Sequence, residues 1–419
     1  MALEINTVWT TTAALLLYFM HAGFGFYEAG MCRSKNTVDT LSHNLLILAV
    51  TIMVYWLFGF ALMFGKGNGF VGYAGFAPQL VDGGELYPSL NSYPSVPLAV
   101  AFAFASSFAD TPATLIAGSG AERVRFGAVM LLAALISGVL FPVVGHWILG
   151  DGWLARLDIP AYDTGSGLVH LCGGCCALAV ALVLGPRREQ PPQDERAKQV
   201  SSMPLVFLGA FILWLGFFAF NAGFAMKVTD SLGLIVINTA LAGAFGTVTA
   251  MIASKLWTGK ASLRTAIVGL LTANVAITSP SGVVEPWAAS LIGAVAGLLA
   301  AISIPAWAGL HIDDPTEYLT MNLLGGLLGL VSVGLFVSPA ITARYPTEPL
   351  PHAGLIYGGG SAQLLSQILA IGGIVGFVLP CILGACWILR FLGWLRVPPE
   401  EERQGSDRVT HGEKAYEND

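Results

Sequence analysis

The sequence predicts an all-α, polytopic membrane protein: eleven transmembrane helices, arranged as an inverted five-plus-five repeat followed by one long last helix. Three observations carry this. The composition is too poor in charge for a water-facing shell, eleven apolar runs have membrane-crossing length, and matching motifs recur five runs apart. Of the 419 residues, 55% are hydrophobic and 11% charged, where an average soluble domain carries about 25% charged residues. Mean hydropathy is +0.70. So few charges cannot clothe a soluble core, and lipid must be the solvent. The 50 glycines suit close packing of membrane helices. The net charge of −6 says little, and no basic patch suggests a nucleic-acid partner.

A bilayer core of about 30 Å takes about 20 apolar residues per helix. Runs that meet this criterion lie near 8–30, 42–64, 97–119, 125–149, 163–185, 204–225, 231–254, 263–279, 284–307, 316–340 and 362–393. The eighth is short, and the last is long enough to tilt or pass the interface. Met1-Ala-Leu-Glu-Ile-Asn6 has no basic flank, so no cleavable signal peptide is expected. The expected organisation is a transmembrane domain over 1–393, with halves near 8–185 and 204–340 and a last helix near 362–393. A polar, cytoplasmic tail over 394–419 follows.

Lysine and arginine set the orientation. With the N-terminus outside, the inner loops and tail hold Arg33, Lys35, Arg123, Arg125, Arg187, Arg188, Arg196, Lys198, Lys255, Lys260, Arg264, Arg390, Arg396, Arg403, Arg408 and Lys414. The outer loops hold only Lys66, Arg156, Lys227 and Arg344. The expectation is N-terminus outside and C-terminus cytoplasmic.

His170-Leu-Cys-Gly173-Gly174-Cys-Cys-Ala-Leu178 in the fifth run aligns with Asn322-Leu-Leu-Gly325-Gly326-Leu-Leu-Gly-Leu330 in the tenth. Phe26-Tyr-Glu-Ala29-Gly30 in the first resembles Phe220-Asn-Ala222-Gly223 in the sixth. Five is odd, so the halves run in opposite senses through the membrane. In such repeats the substrate site lies near the midplane between the halves. A polar residue inside a membrane helix is a functional hypothesis by default. For a lone histidine an interhelical hydrogen bond is an equally good account, but here the repeat supplies a polar counterpart. His170 and Asn322 are therefore the first candidates. Asp163 and Asp314 precede them by seven and eight residues, where helix capping is the ordinary role.

Other chemistries fare worse. The six cysteines, Cys32, Cys172, Cys175, Cys176, Cys381 and Cys386, lie in or at the end of apolar runs, poor ground for disulfides. His170 with its neighbouring cysteines lies on one helix, where small residues for packing are the better account than zinc. No metal or cofactor is expected. An enzyme is not expected either, because no nucleophile–base pair, metal constellation or nucleotide loop is evident. Gly118-Ser-Gly120 lacks the strand–loop–helix setting of a phosphate cradle.

The residues also carry a family resemblance. Ala22-Gly-Phe-Gly-Phe-Tyr-Glu-Ala-Gly-Met-Cys-Arg-Ser-Lys-Asn36 resembles the first-helix signature of the Amt ammonium transporters. Phe104-Ala-Ser-Ser-Phe108-Ala, Gly118-Ser-Gly-Ala-Glu-Arg123, Asp163-Thr-Gly-Ser-Gly-Leu-Val-His170, Phe218-Ala-Phe220-Asn-Ala-Gly223, Asp313-Asp-Pro315 and the tail from Glu402-Arg to His411-Gly-Glu-Lys-Ala-Tyr416 match as well. The resemblance covers nearly the whole chain. It implies eleven helices, a homotrimer in the plasma membrane with one pore per subunit, and passage of ammonium or ammonia. A cytoplasmic partner of the PII signalling type, or an attached cytoplasmic signalling domain, is a further implication.

Carried over one position at a time, the resemblance implies an outer gate of Phe108 and Phe220 and a first pore histidine at His170. The second pore histidine is replaced by Asn322, which forms hydrogen bonds but takes up no proton at neutral pH. The vestibule tryptophan falls on Leu149, in His146-Trp-Ile-Leu149-Gly, and the vestibule serine on Phe224. The family aspartate stands eight residues before the histidine; Tyr162 holds that place and Asp163 is displaced by one. The expected site is thus a vestibule of Phe108, Leu149, Phe224 and Asp163, a gate, a His170–Asn322 bore, and electrostatic support from Asp163 and Asp314. Because the departures cluster on the conduction path, two functions remain open. One is ammonium transport through a hydrophobic pore. The other is an ammonium-binding sensor that signals through the tail with little or no transport. Passage of carbon dioxide or methylamine is a third.

Overall fold

A computed structural model of the chain describes residues 1–91, 96–188, 200–347 and 349–416. Arg196 and Lys198 of the inner-loop tally, and the last three residues of the tail, lie outside the described residues. We number the long helices α1 (Ala2–Met31), α2 (Ser34–Phe64), α3 (Leu98–Gly120), α4 (Phe126–Ile148), α5 (Ser166–Leu184), α6 (Met203–Gly223), α7 (Leu232–Thr258), α8 (Leu263–Ile277), α9 (Pro286–Gly309), α10 (Leu319–Phe336) and α11 (Ala362–Phe391). Among the described residues, nine of these are long and apolar enough to cross a membrane; α8 is apolar but shorter, and α1 has the length but is less apolar than the nine. The eleven stand where the eleven runs stood in the sequence. Helix α1 begins six residues earlier than expected; α5 and α10 each begin three residues later.

Apolar length explains why these segments are helical: without water, only a helix satisfies its own backbone. The ends are set locally. Ser202 accepts from the Leu205 N–H (3.4 Å) at the start of α6, and Ser262 from the Thr265 N–H (3.2 Å) at the start of α8. Large side chains such as Leu256, Trp387 and Phe391 face outward, which is costly in water and natural in lipid.

The two halves meet at close helix crossings built from glycine. A Cβ on Gly174 of α5 would lie 2.5 Å from the Leu323 nitrogen of α10, and one on Gly326 would lie 2.8 Å from the Leu171 nitrogen. These four residues hold equivalent places in the repeat, so the contact is reciprocal. Helices α1 and α6 approach in the same manner: a Cβ on Gly209 would lie 2.3 Å from the Tyr27 nitrogen. Such close approach gives membrane helices their packing energy where hydrophobic driving force is absent.

Both polar candidates sit in an unusual turn. The first turns of α5 (Ser166–Leu171) and α10 (Leu319–Leu324) are wound wide, in π geometry, a distortion that recurs at functional sites.

The described part of the tail is not frayed. It folds back under α2 to α4: the Arg125 N–H donates to Leu395 O (2.9 Å), and the Val397 N–H to Arg123 O (3.0 Å). Asp407 accepts from the Val38 and Asp39 N–H groups (3.0 and 2.9 Å) at the first turn of α2. Arg396 pairs with Glu402 at 2.9 Å. The same face carries a buried ion cluster. Arg187 joins Glu122 (2.6 Å) to Asp313 (2.9 Å), and Arg33 also pairs with Glu122. Burial pushes both carboxyls up, but the arginine charges outweigh it and hold them below the ordinary carboxylate range.

Candidate functional site

The site is a column of side chains between the halves. Phe108 of α3 meets Phe220 of α6 edge to face, centroids 4.5 Å apart and planes at 83°. The predicted gate pair is therefore in contact. On one side Phe108 also touches Phe104 (4.7 Å) and Phe224 (5.9 Å). On the other, Phe220 stacks on the His170 ring at 5.6 Å, and Phe217, one turn earlier on α6, stacks on it at 5.5 Å. His170 Nδ1 then meets Asn322 Oδ1 at 2.9 Å. The expected gate pair and the His170–Asn322 pair thus form one continuous stack.

The hydrogen bonds fix the proton positions. The Asn322 Nδ2 group donates to the Tyr318 carbonyl (3.4 Å), which turns Oδ1 toward His170. A carbonyl oxygen only accepts, so His170 Nδ1 carries the proton. Its Nε2 has a bare lone pair and finds no partner among the described residues, although the ring is buried. An unpaired buried acceptor costs about 1–3 kcal/mol. In a bore it is also a ready acceptor for an incoming N–H.

Outside the gate, two cavities share Leu149 and Phe224. One, of about 90 Å³, has polar groups of Asp163, Thr164 and Asn221 set among apolar ones. The other, about 40 Å³, is walled by apolar groups including Phe104, Phe108 and Phe141. The four predicted vestibule residues, Phe108, Leu149, Phe224 and Asp163, are thus gathered at one end of the column. Phe224 follows the end of α6 and adds the ring that Leu149 lacks.

Asp163 does not reach into the cavity as a bare charge. Oδ1 accepts from the Gly165 and Gly167 N–H groups (2.9 and 3.0 Å) and from Ser279 Oγ (2.5 Å); Oδ2 accepts from the Leu168 N–H (2.6 Å). Gly165 (φ +135°) makes the turn directly against the Phe220 ring. Asp314 does the same for α10, accepting from Leu319 N–H (2.7 Å) and Thr316 (3.1 Å to Oγ1). Burial pushes the Asp314 carboxyl up, partly offset by these donors. Both aspartates position backbone first.

Sequence reasoning missed Asn221, whose Oδ1 is buried, lines the polar cavity and has no partner among the described residues. It lies inside the Phe220-Asn-Ala222-Gly223 motif, so it was in view without a role. Phe217 was recoverable from its spacing of three before Phe220, which puts both on one helix face. Ser279 had no signal, because only the fold brings α8 to Asp163. Among the described residues no cluster of histidine, cysteine or acids is arranged to hold a metal.

A multi-pass helical membrane protein with an inverted repeat around a buried aromatic and histidine column is a definite class, and comparison narrows it. The model of the Ammonium Transporter Family matches residues 8–416. Ammonium transporter Amt2 of Archaeoglobus fulgidus is 35% identical over 435 aligned positions, covering 99% of this chain and 89% of that protein. The ammonium transporter of Bacillus subtilis is 30% identical, with 98% of each chain covered. Among solved structures, one described as Sensor Amt Protein superposes with a TM-score of 0.86 at 30% identity, covering 97% of this chain and 98% of that one. Mep2 of Saccharomyces cerevisiae superposes at 0.85 with 26% identity, covering 94% and 90%. The chain belongs to the ammonium transporter family.

Proposed function

We propose that the protein carries ammonium across the plasma membrane, with its N-terminus outside, its tail in the cytoplasm, and one pore in each subunit of a homotrimer. The observation that carries this reading is the unbroken contact from Phe108 through Phe220 to His170 and Asn322. Ammonium is held at the vestibule by Phe108 and Phe224, beside Leu149, each ring face worth about 0.5–2 kcal/mol to a cation. Asn221 Oδ1 offers it an acceptor. Asp163 shapes the vestibule floor, the Phe108–Phe220 gate admits it, and His170 Nε2 with Asn322 holds it in the bore, where the proton leaves and neutral ammonia goes on. Removing the proton is what makes passage affordable, since a desolvated cation costs several kcal/mol. The test is flux into proteoliposomes down an ammonium gradient. Uptake that His170→Ala alters supports the reading; no uptake at any gradient overturns it.

A second reading, an ammonium sensor, is favoured by Asn322 in place of a second imidazole and by the tail docked on α2. The solved neighbour named Sensor Amt Protein lends it weight. Saturable ammonium binding without flux would select it, with the signal passing through the tail to a PII-type or attached signalling partner.

A further inference from the structure

A second polar cluster lies inside the membrane-spanning bundle, apart from the column of gate and bore. His21 and Glu28 stand two turns apart on one face of α1, and both are buried. His21 Nδ1 meets Asp110 Oδ2 of α3 at 2.6 Å, and its Nε2 meets the Asn44 carbonyl of α2 at 2.6 Å. Asn44 Nδ2 donates to Glu28 Oε2 (2.7 Å), and its Oδ1 accepts from Thr114 Oγ1 (2.9 Å). The hydroxyl of Tyr318, one turn before Asn322 on the way into α10, donates to Glu28 Oε1 (2.8 Å).

The donors and acceptors fix where some of the hydrogens of this cluster sit. The Asn44 carbonyl only accepts, so His21 Nε2 carries hydrogen. His21 Nδ1 faces the Asp110 carboxylate, so the imidazole and that acid form a close pair beside Glu28. Asn44 Nδ2 only donates, so Glu28 Oε2 carries no hydrogen, and Oε1, facing the Tyr318 hydroxyl, is the atom placed to take a proton. Titratable residues at such depth are rare and mark proton or ion pathways by default. The other ionisable groups around it are Tyr27, Cys32 and Asp314.

We propose that Glu28 is the proton acceptor of this pore, reached through Tyr318. The proposal rests on the reading that ammonium enters the bore, where the His170–Asn322 pair has a single imidazole. Tyr318 gives its hydroxyl proton to Glu28 as its oxygen takes the proton shed by ammonium. One N–H bond breaks, one O–H bond forms on Tyr318 as another is passed to the carboxylate, and neutral ammonia is left. Glu28 then releases its proton toward the inner face.

The test uses the full-length protein in lipid, with ammonium chloride as the probe. Infrared difference spectroscopy should show a protonated-carboxyl band on ammonium addition, lost in Glu28→Gln and shifted in Glu28→Asp. Ammonium-driven current should fall about 100-fold in Glu28→Gln and in Tyr318→Phe, which keeps the ring's packing, with partial rescue by Glu28→Asp. A band that persists in Glu28→Gln, or is absent from the wild type, overturns the proposal. So does a wild-type current that both variants retain. If the wild type carries neither current nor uptake, the transport reading fails and the infrared band alone decides the role of Glu28.

Discussion

Asp163 and Asp314 serve the two halves in the same way: each carboxylate accepts from the main-chain N–H five residues further on, Leu168 and Leu319. The spacing to the polar pore residue differs by one, yet the cap is the same. Replacing Asp163 with alanine strips acceptors from three N–H groups and Ser279, at about 1–3 kcal/mol for each buried donor left unpaired. The melting temperature in detergent should fall sharply for Asp163→Ala and less for Asp163→Asn. Equal effects would mean that charge, and not the hydrogen bonds, is what matters.

Asn322→His restores a second imidazole beside His170. Its ring can take up a proton near neutral pH, so flux should rise and acquire a new pH dependence. Proteoliposome uptake measured across a pH series checks this. An unchanged profile would show that the amide already meets the needs of the bore.

Leu149→Trp adds an aromatic wall, but Phe224 shares the same two cavities and leaves little room. The single variant should bind ammonium no better than wild type. Leu149→Trp with Phe224→Ser should bind it about 2- to 30-fold more tightly, the equivalent of one cation–π contact. Calorimetric titration with ammonium chloride separates the two.

Arg187 is the centre of the buried ion cluster. Removing one partner of a buried pair costs about 3–5 kcal/mol, so Arg187→Ala should be strongly destabilised. The pH response follows from the depressed Glu122 and Asp313 carboxyls, whose ordinary values are 4.5 and 3.8. Their contribution is fully present above those values and is lost as the pH falls through the lower folded ones. Acid unfolding of wild type should therefore be steeper below about pH 4 than that of Arg187→Ala.

Asp407 clasps the first turn of α2, and His411 Nε2 lies 2.9 Å from Asp39. Asp407→Ala should free the tail and make it the first site of limited proteolysis, with the membrane portion left intact. A tail that stays resistant would shift the credit to the Arg396–Glu402 pairing.

How much of this was legible in the sequence varies with the physics. The positions of the helices came largely from apolar length, which nine of the eleven satisfy, because lipid leaves no alternative to the helix. His170 and Asn322 were visible as a matched pair in the repeat. Phe108, Phe220, Leu149 and Phe224 needed the family resemblance, since an aromatic or aliphatic residue in an apolar helix is indistinguishable from packing. The proton arrangement at His170 was not legible: it depends on which way the Asn322 amide turns, and Tyr318 decides that. Neither was the link from Glu28 to Tyr318, 290 positions away, nor the docking of the tail.

The crossings of α5 and α10 put Gly174 against Leu323 and Gly326 against Leu171. Because main chain touches main chain there, the separation of the two helices owes nothing to the side chains of His170 and Asn322. One polar residue can be exchanged for another at such a position without moving the helices. The crossing is a fixed frame, and the chemistry seated beside it is free to change while the architecture stays still.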